Sequence, residues 1–174
     1  MSVHGFRRTA TGRVVLRVDV VEKGLLMTLL EQLVEFVTPE VAADEDPLVS
    51  LVGLDPDAER PDDPALARLF PDAYLDDAES AAQFRRFTER SLRDTKLAHA
   101  ATAIETLRRS GEKVTLSADE AGAWLGALND VRLALGTRLG VTEDDDTEPG
   151  DDPEYNLYLY LGYLQQSLVE ELMG

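Results

Sequence analysis

Residues 117–140 read SADEAGAWLGALNDVRLALGTRLG, and this stretch decides the fold. It opens with a capping box: the Ser117 side chain accepts from the backbone N–H of residue 120, and Glu120 reaches back to the N–H of residue 117. Winding it at about 100° per residue sets Ala121, Trp124, Leu125, Leu128, Val131, Leu135 and Leu139 on one apolar stripe. Arg132 falls inside that stripe, flanked by Asn129 and Gly136. An unpaired buried charge is costly, so Arg132 is expected to be largely buried and held by a carboxylate or several backbone carbonyls. Asn129 and Arg132 are the candidate polar core. Gly122 and Gly126, one turn apart, each cost about 1 kcal/mol relative to alanine in a helix interior. Either another helix approaches them closely or they floor a small-ligand groove.

The rest of the chain frames this helix. With 174 residues and 44% hydrophobic content, it can bury a core as one domain over 1–174. Cysteine is absent, which excludes disulfides, thiolate metal sites and thiol redox switches. The first residues, MSVHGFRRTATG, lack the apolar segment of a signal peptide. No run approaches the roughly 18 apolar residues of a membrane helix. A cytoplasmic location away from membranes is therefore expected. The net charge of −17 is uneven: residues 38–79 hold 13 acids against two arginines, and residues 141–154 hold eight acids and no base. The remainder is close to neutral. Such runs are solvated loops or partner-binding surfaces.

Residues 5–18 read as a β-hairpin turning at Ala10-Thr11-Gly12, with Val14, Leu16 and Val18 alternating against polar neighbours. Asp19 and Glu22 form a second capping-box pair and start a helix over 19–37. Leu26, Leu29, Leu30, Leu33 and Phe36 stripe it, and it stops before Pro39. An acidic, proline-rich excursion over 38–77 contains Asp46-Pro47 and Asp63-Pro64, which predict short helices at 47–52 and 64–70. A long helix over 78–110 ends at Ser110-Gly111. A brief extended stretch, Lys113 to Leu116, leads into the 117–139 helix. An acidic loop at 141–152 precedes the last helix, 153–173. The fold class is mainly α with a small N-terminal β-hairpin (α+β): a compact helical domain of about four main helices, plus short helices in the acidic excursion.

The last helix is apolar on two faces. Leu157, Tyr160, Leu161, Leu164, Leu168 and Leu172 line one, and Tyr155, Tyr158, Leu159, Gly162, Tyr163 and Val169 the other. Such a helix is central in the core or bridges the core to a partner chain. Tyr155, Tyr158, Leu159, Gly162 and Tyr163 are thus a candidate homodimer seam. The basic run at 85–96 places Arg86, Arg90 and Arg93 on one face. With Arg7 and Arg8 they are candidate contacts for nucleic acid or an acidic partner, provided the fold brings them together. Pairing within the chain, through Glu89 and Asp94, competes with that use.

Signals for catalysis are missing. There is no glycine-rich phosphate loop, nucleophile elbow or zinc pattern, and His4 and His99 are too few and too distant to suggest a metal cluster. Asp144, Asp146 and Glu148 have calcium-loop spacing, but Pro149 stands where the turn needs glycine and Tyr155 where a bidentate glutamate is needed. No catalytic residue, metal or cofactor is therefore expected.

AWLGALNDVRLALGTRLG, RLFPDAY at 68–74, FRRFTERSLRDTK at 84–96 and the terminal YLGYLQQSLVEEL together resemble an actinobacterial domain of unknown function, number two thousand and seventeen. The family is encoded beside the ClpS protease adaptor and includes the actinomycete oxidative stress regulator. The resemblance implies a non-enzymatic regulator of the stress and redox response, acting through protein–protein contacts with a sigma factor. An accessory role in ClpS-linked proteolysis is the alternative, and an enzyme of unknown class a remote third. Redox sensing in the described branch uses a disulfide, which this cysteine-free chain cannot form.

Overall fold

A computed structural model describes residues 4–39, 61–72, 76–142 and 148–174. Its helices are α1 (Val20–Val37), α2 (Pro64–Leu69), α3 (Ala78–Leu107), α4 (Ala118–Leu139) and α5 (Pro153–Met173). Its strands are β1 (Gly5–Arg8), β2 (Val14–Arg17) and β3 (Lys113–Leu116). The short helix expected at 47–52 lies outside the described residues, as does much of the two acidic segments.

The helix starts follow the side chains that cap them. Asp19 accepts from the N–H groups of Val21 and Glu22, while Glu22 returns to the N–H of Asp19. Ser117 and Glu120 form the same reciprocal pair, and each satisfies donors that the first turn leaves orphaned. Asp63-Pro64 and Asp152-Pro153 cap α2 and α5 as the sequence predicts. The end of α3 differs: it stops at Leu107, three residues before the expected limit. There the Lys23 ammonium takes the carbonyls of Arg109 and Gly111, stabilising an open turn in place of a further helical one.

β3 pairs with β2, so the expected hairpin is two-thirds of a three-stranded antiparallel sheet in the order β1-β2-β3. Phe6, Leu16 and Val114 lie side by side across it, as do Arg8, Val14 and Leu116. β1 is an edge strand whose outward N–H groups are taken up by α5. Phe6 N–H donates to Ser167 Oγ (3.3 Å) and Arg8 N–H to Glu171 Oε2 (3.0 Å), so this edge offers little to a passing strand. The approach needs glycine at position 5, where φ is +108° and a Cβ would lie 3.3 Å from the Tyr163 ring.

α4 is the centre of the molecule, packed against α1, α2, α3 and α5. Ala121, Trp124, Leu128 and Val131 are buried on the expected stripe, but Ala123, Ala127 and Asp130 are buried as well. Trp124 packs edge-to-face on Phe6 at 5.7 Å and donates its indole N–H to Thr106 Oγ1 at 2.8 Å. The two glycines of this helix part company. A Cβ at Gly126 would sit 2.3 Å from the His99 ring, so α3 does approach closely there, whereas at Gly122 it would meet nothing within 4 Å. Gly122→Ala is accordingly expected to stabilise the chain by about 0.5–1 kcal/mol. A urea midpoint that rises at unchanged slope would bear this out, and a fall would contradict it.

Candidate functional site

α4 and α5 are joined by an acidic connection and run antiparallel, so their contacts step in opposite directions. Gly136 faces Tyr158, Arg132 faces Gly162, and Asn129 Oδ1 accepts from Gln165 Nε2 at 3.3 Å. The Arg132 guanidinium lies 4.9 Å from the centre of the Tyr158 ring, within cation–π range. Its surroundings differ from the expectation. Arg132 is partly buried, yet no carboxylate or carbonyl among the described residues receives its N–H groups, and its buried Nε has no hydrogen-bond partner. Gln165 Oε1 is buried and unpartnered in the same way. The tyrosine ring stands where a carboxylate was expected.

Clefts open on both sides of this pair. One, of about 420 Å3, is lined by Arg68, Arg132, Leu133, Thr137, Tyr155 and Tyr158. The other, of about 550 Å3, is lined by Arg132, Tyr158, Leu159, Gly162, Gln165 and Val169. All five residues proposed as a dimer seam therefore wall these clefts. Tyr163, on the wall of the second, is exposed at the ring, but its hydroxyl donates to the His4 carbonyl at 2.9 Å.

The basic residues do not gather into one patch. Arg7 and Arg8 are exposed on β1, with Arg7 near Glu171 at 3.7 Å. The sheet that carries them follows the C-terminal end of α3. Arg86 lies 21 residues before that end, about 30 Å away at the helical rise. Arg93 turns inward: its Nε donates to the Val37 carbonyl (2.9 Å), its Nη2 lies 3.3 Å from Glu89, and its guanidinium stacks on Phe70. Arg85 is buried and binds Asp72 and the Phe70 carbonyl. Lys96 pairs with Asp130 at 2.7 Å. Arg90 is half-buried and engaged, which leaves Arg86 exposed. Of the basic run, Arg85, Arg93 and Lys96 thus lie toward the buried side of α3. Periodicity identifies the 86/90/93 face without saying what covers it.

Around the exposed side of this half of α3, Phe87 stands at the middle, Arg86 to one side, and Phe84 and Leu92 to the other. Phe87 is 69% exposed. A large aromatic so placed, with an arginine beside it, has the composition of an interface centre.

One cluster escaped the sequence reading. His4 Nδ1 lies 2.5 Å from Glu22 Oε2, and His4, Asp19 and Glu22 offer ligand atoms within 4.8 Å of one another. Glu22 also accepts from Tyr160 (3.1 Å) and from the N–H of Asp19. Burial, and then the Glu22 charge, raise the Tyr160 phenol well above its ordinary range, so it stays a donor. The imidazole, the phenol and the Asp19 N–H thus converge on the accepting Glu22 carboxylate and tie the start of β1 to α1. No helix of the described residues is long and apolar enough to cross a membrane.

Comparison with known proteins adds a family. The chain is similar to the oxidative stress regulator AosR of Mycobacterium tuberculosis and to that of Mycobacterium bovis, each 36% identical over 134 residues. The match covers 67% of this chain and spans 62% of the length of those relatives. No solved structure matches. The model of a domain of unknown function, DUF2017, matches residues 3–172, from the start of the sheet to the last turn of α5, and the chain belongs to that family.

Proposed function

We propose that this chain is a non-enzymatic regulatory protein of the oxidative stress response that acts by binding other proteins, with a sigma factor as its partner in transcription. The observation that carries the reading is its similarity to mycobacterial proteins named oxidative stress regulators. The exposed Phe87, with the exposed Phe84 one turn before it and Arg86 to its other side, supports a protein contact, since aromatic and arginine side chains are enriched at interfaces. The charge distribution argues against DNA as the primary partner. The chain carries −17, and the candidate contacts Arg7 and Arg8 on β1 lie far from Arg86 on α3, whereas a DNA-binding face is marked by a basic patch or stripe. Because cysteine is absent, a redox signal reaches this chain from a partner rather than from its own thiols.

The test is a crosslinked pull-down from the native host using the tagged chain and its Phe87→Ser variant, read by mass spectrometry. RNA polymerase subunits with a sigma factor are expected, falling at least about fivefold in the variant, as loss of an aromatic anchor implies. Recovery of Clp protease components without polymerase would overturn this reading in favour of a proteolysis accessory.

A further inference from the structure

We propose that the cleft between α4 and α5 on the Gly162 side is a binding site for a small organic anion, a carboxylate carried on a flat apolar body, with Arg132 as the group that reads its charge. The argument begins with Arg132's isolation. Arg85, Arg93 and Lys96, basic residues turned into the packing of α3, each face a carboxylate: Asp72, Glu89 and Asp130. Arg132 faces none among the described residues, although the chain holds 34 acids to 17 bases. A partly buried guanidinium with a buried, unpaired donor is costly unless something completes it.

The geometry defines what completes it. Gly162 leaves a notch on the α5 wall, where an absent Cβ would lie 3.3 Å from Arg132 Nε and 3.8 Å from Nη2. That edge of the guanidinium presents two donors side by side, the fork that matches a carboxylate. Tyr158 already covers the guanidinium face. Beyond the notch the cleft holds about 550 Å3, within the size range of small-molecule pockets. Leu159, Val169 and the Tyr158 ring give it apolar and aromatic walls, which a bare inorganic anion would leave wet. Gln165 Oε1, buried and unpartnered on the same wall, accepts from a hydroxyl or amine on the ligand.

The experiment uses 2-naphthoate as probe, with neutral 2-naphthamide and inorganic phosphate beside it, in calorimetric titrations of the full chain. Naphthoate is expected to bind with a Kd on the order of 0.1–1 mM, and the amide and phosphate at least about tenfold more weakly, since each lacks half of what the site reads. Arg132→Gln removes the charge and Gly162→Ala fills the notch without touching any charge. Each is expected to weaken naphthoate binding at least about tenfold, while Gly122→Ala leaves it unchanged. Circular dichroism confirms that each variant is folded. Equal binding of the amide, equal binding of phosphate, or undiminished binding by a folded Gly162→Ala variant would overturn the proposal. So would a wild-type dimer in sedimentation that Gly162→Ala dissociates, because the cleft would then belong to a second copy of the chain.

Discussion

Asp130→Ala is expected to lower the unfolding free energy by about 3–5 kcal/mol. Asp130 is 2% exposed on the side of α4 that meets α3, where its carboxylate accepts from the Lys96 ammonium at 2.7 Å. Removing the carboxylate strands that ammonium between two helices, near the Phe70 ring, on a side chain only 14% exposed. Lys96→Ala does the converse and leaves a buried carboxylate with no cation, so its loss should be of similar size. The pair is not stabilising in proportion, because desolvating both charges offsets most of their attraction. Combining Lys96→Ala with Asp130→Ala should therefore cost much less than the two single losses added together, giving a large coupling in the double-mutant cycle. Urea unfolding followed by circular dichroism measures all four proteins. Single losses below about 1 kcal/mol would mean that water reaches the pair freely.

The contrast between Asp130 and Arg132 marks how far the sequence could be read. Signals that act within a few residues were legible: both capping boxes, the Asp-Pro starts of α2 and α5, and the alternation of β2. Each is a contact between near neighbours, so composition and spacing contain it. The single stripe drawn on 117–139 located Trp124 and Leu128 in the core, yet it took Arg132 for the buried charge and passed over Asp130. A helix with one buried face has one stripe. α4 touches four other helices, so residues off the stripe are buried too, and no periodicity reveals that. The extended stretch at 113–116 was legible, but its pairing was hidden for a related reason: its partner β2 is about 100 residues away, with no turn between them to announce it. The candidate cleft was half legible. Its residues were named from the apolar surplus of α5, but the missing carboxylate at Arg132 became visible only once α4 and α5 were set side by side.

Among the apolar side chains, Trp124→Ala is the truncation expected to cost most, about 3–5 kcal/mol. The side chain is fully buried and ties together three elements distant in sequence: Phe6 on β1, Thr106 on α3, and α4 itself. Two contributions can be separated. Thr106→Val keeps the shape but leaves the indole N–H buried without an acceptor, at about 1–3 kcal/mol. Trp124→Phe removes that donor and some volume while keeping an aromatic ring against Phe6. Once phenylalanine stands at 124, Thr106→Val should cost much less than it does alone, because no orphaned donor remains. Trp124 is the chain's one tryptophan, so its emission follows unfolding directly in the wild type and in Thr106→Val. Equal costs for Thr106→Val in both backgrounds would show that the hydrogen bond contributes nothing and that the site is held by packing alone.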